Sequence, residues 1–185
     1  MGKRPKPLPS LELCNSLFKY DPCSGLIERK IDTCNGKYKK GDIAGGPHGE
    51  AGKQYWRVWV KKQGIRAHRL AWLLHYGEDP GTDFVVDHIN GNRFDNSINN
   101  LRLATIAENN RNRTIGANNT SGFKGVYMTR LKNKPYCARI NVDGVDKYLG
   151  AFKTKGDAAL AYEKASIEYH KEFRRVEDLA LSNAD

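Results

Sequence analysis

Asp87 and His88 stand side by side, Asn100 follows His88 by 12 residues, and Asn109 follows Asn100 by nine. Each residue type brings a different chemistry. The Asp87 carboxylate and the Asn109 amide oxygen are hard donors. They suit a divalent cation such as Mg2+ or Mn2+, which keeps several waters and takes its remaining positions from phosphate. In an extended chain His88 points away from its neighbour Asp87. A neutral imidazole there can take a proton from a water attacking a phosphodiester, while one cation per site polarises the phosphoryl oxygen and stabilises the leaving group. Asn100 reads as a brace whose amide bonds backbone across the intervening loop, so that His88 keeps one tautomer and one orientation.

Three elements must bring these groups together. The β-branched run Phe84-Val85-Val86 predicts a strand ending on Asp87-His88. A polar loop follows, with turn signals at Asn90-Gly91 and Asp95-Asn96. Then come Asn99-Asn100-Leu101 and a helix-like segment from Ala104 to Asn112, carrying Asn109, Asn110 and Arg111, with Arg113 just beyond. A loop of this length in a compact unit is functional or disordered. A calcium loop is excluded: with Gly91 in sixth place the first position is Val86 and the twelfth Ser97, neither with the donors such a loop requires. An Asn-rich surface loop with an incidental histidine is the other alternative, and four matching positions on a strand, loop and helix weigh against it.

These runs, DHINGN, DN, NNLR and ENNRNR, resemble the ββα-metal core of HNH endonucleases, in the branch found in phage homing and nicking enzymes. The resemblance implies His88 as general base, Asn100 as the central structural asparagine, and Asp87 and Asn109 as metal ligands. The upstream His68-Arg69-Leu70-Ala71-Trp72 is similar to the lead-in of that branch and places His68 near the active site, as a phosphate-contact or orienting group. Arg111 and Arg113 are candidates for active-site support. The resemblance further implies action in the cytoplasm of a bacterial or phage-infected cell.

Composition bounds the partners. The 185 residues allow one ordinary domain or two small ones. Lys and Arg outnumber Asp and Glu by 31 to 21, a net charge of +10 with a pI near 9.5, and such an excess attracts polyanions at long range. No apolar run approaches membrane length, and the opening MGKRPKPLPS lacks the apolar core of a signal peptide. Cysteines 14, 23, 34 and 137 form no CxxC pair, which points to reduced thiols rather than a zinc knuckle or a disulfide framework.

The chain before the motif predicts a buttress. Residues 1–9 read as a basic, flexible arm, disordered in isolation. Ser10 caps a short helix bearing Leu11, Leu13, Cys14, Leu17 and Phe18, and Asp21-Pro22 turns the chain into a strand from Gly25 to Lys30. Residues 32–53, rich in glycine and lysine, read as a mobile basic loop, in which His48 has no assigned role. Tyr55 to Val60 alternates as a strand, Gln63-Gly64 reads as the hairpin turn, and His68 to Tyr76 forms a helix stopped by Gly77. Trp56, Trp59 and Trp72 read as core.

After Arg113 a polar linker, 114–122, leads to three strands, Phe123–Thr129, Tyr136–Val142 and Val145–Leu149, the last two joined by Asp143-Gly144. Thr154 with Asp157 makes a capping box for a helix whose stripe is Ala158, Ala161, Tyr162, Ala165 and Tyr169. The opposite sheet face is expected to carry Lys124, Arg130, Lys132, Lys134, Arg139 and Lys147, with Tyr127, Tyr136 and Tyr148 among them, a basic and aromatic surface of the kind that enters a DNA groove. FKGVY, YCARI, KYLGAFKT and DAALAYEKA, over about residues 120–173, resemble the ethylene-response-factor (ERF-like) DNA-binding domain, which implies groove reading by the sheet.

The whole predicts an α+β chain: a ββα-metal HNH nuclease core in 10–113, buttressed by a small N-terminal sheet and helix, a linker 114–122, an ERF-like module 123–176 with its three-stranded sheet on one helix, and a tail 177–185. The expected activity is metal-dependent hydrolysis of double-stranded DNA, placed by the C-terminal module, with no small-molecule cofactor and no membrane partner. A regulator that keeps the fold without cutting is the rival from another class, and a non-specific nuclease the third reading.

Overall fold

The structure, a computed structural model, describes residues 6–33, 36–113, 115–116 and 118–174. Residues 1–5 of the expected arm, Cys34, parts of the expected linker and the tail lie outside them. The chain is α+β with small antiparallel sheets, and it divides into two compact units, Met1–Ile106 and Ala107–Asp185.

In the first unit, α1 (Leu11–Leu17) starts where Ser10 accepts from the Leu13 amide. β1 (Phe18–Tyr20) and β2 (Ile27–Arg29) form a hairpin. β3 (Gly46–His48), β4 (Tyr55–Val60) and β5 (Gln63–Arg66) form a three-stranded sheet, and α2 (Ala67–Tyr76) follows at once, ending on left-handed Gly77. β6 (Val85–His88) pairs with β7 (Leu101–Ala104), and α3 (Ile106–Arg111) begins at the last residue of this unit, its other residues belonging to the second. One core serves the unit: Phe18, Ile27, Val58, Val60, Ile65, Leu70 and Leu73 pack with Val86 and Leu101 of the β6–β7 hairpin. Full burial contributes about 1.5–3 kcal/mol for each large side chain such as Phe18 or Leu70, so the hairpin that carries Asp87 and His88 is held by the same core as α2.

Three sequence expectations are corrected here. The hairpin turn is Lys61-Lys62, with φ of 45° and 69°, rather than Gln63-Gly64. Two left-handed residues match the twist of a two-residue turn, and this register sets buried Ile65 against buried Val58. Apolar pairing outweighs the conformational cost of lysines in that region. The stretch 32–53 is not wholly loop, since Gly46–His48 pairs with β4. Trp59 is 46% exposed rather than core, while Trp56 donates to the Ala44 carbonyl at 2.8 Å.

In the second unit, β8 (Val126–Met128), β9 (Tyr136–Val142) and β10 (Val145–Phe152) form an antiparallel sheet with β9 in the centre, covered by α4 (Lys155–His170). Thr154 accepts from the Asp157 amide at 3.1 Å, as the capping box requires. Ala158 and Ala165 are buried. Close approach is marked at Gly125, where a Cβ would stand 2.0 Å from the Tyr162 ring. Residues 118–122, expected within a linker, belong to this unit: buried Ser121 donates to Val126 O at 2.8 Å.

Candidate active site

The β6–β7 ladder sets Asp87 directly opposite Arg102. Arg102 Nε and Nη2 reach Asp87 Oδ2 at 3.1 and 3.0 Å, and both side chains are largely buried. The strand β7 takes in Ala104, where the pattern starts a helix, and Leu101–Leu103, to which it gives no element. Its residues pair instead with β6, because Leu101 and Ala104 are buried when extended, and the helix is confined to Ile106–Arg111.

The loop between the two strands is built from its own amides. Asn90 Oδ1 accepts from the Asn92 amide at 2.8 Å, and Asn92 Oδ1 from the Phe94 amide at 3.1 Å. Asp95 accepts from the Ser97 hydroxyl at 2.6 Å and from Asn90 Nδ2 at 2.9 Å. The Ser97 bond is the main reason its carboxyl lies below the usual carboxylate range. Asn100 spans the loop, accepting from the Asn90 amide at 3.0 Å and donating to Asp95 O at 2.8 Å. Short polar side chains that bond backbone in this way replace the ladder a loop lacks.

His88, buried on β6, meets a partner that the sequence reading took only as a turn residue. Its Nε2 lies 3.2 Å from Asn96 Oδ1, while Asn96 Nδ2 donates to Phe94 O at 3.3 Å. With the amide nitrogen so directed, Oδ1 is the acceptor and Nε2 carries the hydrogen, which leaves Nδ1 as the basic nitrogen. The backbone around Asn96 is clamped by the first hairpin. Tyr20 donates to Asn96 O at 2.8 Å, burial keeping its phenol protonated, and Ile98 donates to Pro22 O at 2.9 Å. A Cβ at Gly25 would stand 2.3 Å from Ser97 N, and Gly25 has φ +75°, so only glycine fits there. No local signal marks Asn96, since its role depends on contacts 76 residues away in sequence.

His68, on the first turn of α2, is also brought to the site. Its ring stands edge-on to His88 at 4.9 Å, with Tyr55 5.6 Å from His68 and 6.5 Å from His88. Burial is the main force holding His68 well below the ordinary histidine value of 6.5, with His88, Arg66 and Arg69 adding to it. Burial also lowers His88, against the Asn96 bond that raises it. Above about pH 6.5 both folded and unfolded chains hold His68 neutral. Below it only the unfolded chain takes up the proton, so stability falls with pH. The melting temperature is expected to decline on acidification below that point and to decline less steeply in His68→Gln. Equal slopes for the two proteins would remove His68 from this account.

The remaining site residues lie in the second unit. Asn109 sits on α3. Arg111 pairs with Asp143 at 2.6 Å, and Lys124 Nζ donates to the Arg111 and Arg113 carbonyls at 2.5 and 2.9 Å. The expected placement of three basic-face residues is corrected. Lys124 is tied to those carbonyls, and Tyr136 packs against the core beneath α4. Lys147, paired with buried Ile140, lies on the helix side with its ammonium 4.1 Å from the Tyr169 ring. The face away from α4 carries Tyr127, Arg139 and Tyr148, and Arg130, Lys132 and Lys134 are exposed on the β8–β9 connection.

The donor set fits a hard cation better than a closed protein cage. Among the described residues no three His, Cys, Asp or Glu side chains converge, and a cation such as Mg2+ needs only one or two protein oxygens beside water and phosphate. A carboxylate has lone pairs on both oxygens, so the ion pair to Arg102 does not use up Asp87 as a ligand. Cys14, Cys23 and Cys137 are free thiols.

Comparison with known proteins supports a nuclease. Residues 66–111, from the end of β5 through α3, match the HNH endonuclease family. An uncharacterised HNH endonuclease of Acanthamoeba polyphaga mimivirus is 29% identical over 109 residues, 59% of this chain and 55% of the relative. Protein 3.8 of Escherichia phage T7 is 39% identical over 65 residues, 35% of this chain and 53% of the relative. The chain thus spans about half the length of the curated relatives it matches. No solved structure matches it. Among the described residues no helix is long and apolar enough to cross a membrane.

Proposed function

We propose that the chain hydrolyses phosphodiester bonds of double-stranded DNA as an endonuclease of the homing or nicking type. The observation that carries this reading is His88, an imidazole buried on β6 whose Nε2 is tied to Asn96. As general base, Nδ1 takes the proton from the attacking water. Asn96 and His68 hold the ring, and Asn100 holds the loop from which Asn96 projects. Asp87 and Asn109 are the proposed protein ligands of one Mg2+ or Mn2+ ion, on the resemblance of the motif. When bound, the ion supplies charge for the phosphoryl oxygens and the leaving group. The ERF-like reading of the second unit rests on Tyr127, Arg139 and Tyr148 sharing one exposed sheet face, with Arg130 and Lys134 beside it. These residues would add phosphate and base contacts that place the cut.

The deciding experiment is incubation with supercoiled plasmid and Mg2+ or Mn2+, with and without chelator. Nicked or linear product that disappears with chelator is expected. A protein that retards the plasmid but leaves it closed under every metal would be a DNA-binding regulator instead.

A further inference from the structure

One face of the β3–β4–β5 sheet is unlike a solvated surface. Val58 and Val60 of β4 point into the core, so Tyr55, Arg57 and Trp59 point out. Arg57 stands directly opposite Arg66 of β5, and like charges so placed destabilise a sheet. Arg66 nevertheless lies with its guanidinium carbon 4.5 Å from the Tyr55 ring centroid. Arg93, from the loop after β6, comes to 5.0 Å of the same ring and donates to Gly52 O at 3.2 Å. Gly64 leaves room on this face, since a Cβ there would meet Arg57 Cδ at 2.8 Å. Among the described residues Arg57, Arg66 and Arg93 make no ion pair, whereas Arg69 and Arg102 of the same unit each hold a carboxylate. The ring that Arg66 and Arg93 approach is 6.5 Å from His88.

Three arginines around this face, Arg66 and Arg93 drawn to one aromatic ring and Arg57 facing Arg66 across the ladder, lack an anion. A planar guanidinium is matched to phosphate, which it binds through paired hydrogen bonds. Contact with Tyr55 restrains the long side chains before any ligand arrives, which lowers the ordering cost of binding. We propose that Tyr55, Arg57, Arg66 and Arg93 form a phosphate seat on the first unit, gripping the backbone of duplex DNA next to the phosphodiester presented to His88. The proposal rests on the nuclease reading for the identity of its polyanion. It makes the N-terminal sheet a substrate-positioning surface in its own right, separate from the exposed sheet of the second unit.

The test uses the full chain carrying His88→Ala, so that a labelled duplex is bound and not cut, and reads affinity across a salt series. Arg66→Gln with Arg93→Gln is expected to weaken binding at least about tenfold at physiological salt and to reduce the slope of log affinity against log salt by about two. Arg66→Lys with Arg93→Lys keeps the charge but loses the fork, so its slope should stay near that of the parent while its affinity falls between the two. Arg66→Gln alone relieves the opposition to Arg57 and should melt no lower than the parent. An unaltered slope in the Gln pair overturns the seat, as does a lower melting temperature for Arg66→Gln, which would make these arginines structural. Failure of the chain with intact His88 to cut plasmid under any metal would instead remove the nuclease reading, while the salt slope still decides whether phosphate is gripped here.

Discussion

His88→Ala is expected to slow DNA cleavage at least about 10²-fold, the usual scale for a general base, while duplex affinity changes little. Asn96, which the imidazole Nε2 meets, is itself secured by Phe94 O and the Tyr20 clamp, so that part of the loop stays tied when the ring is removed. Asn96→Ala should give a smaller loss. It keeps the base but releases Nε2, and two-bond nitrogen correlation spectra should then show the second tautomer alongside the Nε2-protonated form of the parent. Cleavage by His88→Ala at the parent rate would remove this residue from the mechanism.

Loss of the carboxylate at position 87 has the second large effect, and the choice of substitution matters. Asp87→Ala would leave Arg102, with a side chain only 14% exposed, without its counter-charge, and breaking a buried pair in this way costs about 3–5 kcal/mol. Activity would then fall for a reason unrelated to a metal. Asp87→Asn keeps the shape and an oxygen acceptor for Arg102. It is expected to weaken metal-supported cleavage by about 10–100-fold, with partial recovery at high Mg2+ or Mn2+. Asn109→Ala should show the same recovery. Calorimetry on the DNA complex is the independent check: metal affinity equal to the parent's in both variants would show that neither residue is a ligand.

Much of the architecture was legible because it follows from local pattern. Ser10 before an apolar helix, Gly77 after one, Asp143-Gly144 between two alternating runs and Thr154 with Asp157 all act over two to four residues, and the structure shows each where the pattern puts it. The errors came where a distant partner decides. Leu101–Ala104 carries no strand signal of its own and becomes a strand because β6 lies beside it. Lys61-Lys62 turns the hairpin because Ile65 must meet Val58. The candidate site divides along the same line. Asp87, His88 and Asn100 stand out by type and spacing. Asn96, Tyr55, Arg66 and Arg93 acquire meaning only when the first hairpin and the three-stranded sheet are folded against the loop.

The last turn of α3 bears on how a chain of this kind would exchange its parts. Arg111 is held by Asp143, and its carbonyl by Lys124, so the helix carrying Asn109 is fastened to the residues around it in the C-terminal unit. A graft cut within 114–122 would transplant the sheet and strand those two partners, leaving behind a helix end that had lost its anchor. A graft that moves the helix with the sheet carries Asn109 along with it. In recombination between related chains, the amide proposed as a metal ligand would therefore be inherited with the half proposed to bind DNA, while the proposed base stays with the N-terminal half. Metal preference and target choice would then segregate together, and a change of binding module would also be a change of one ligand's environment.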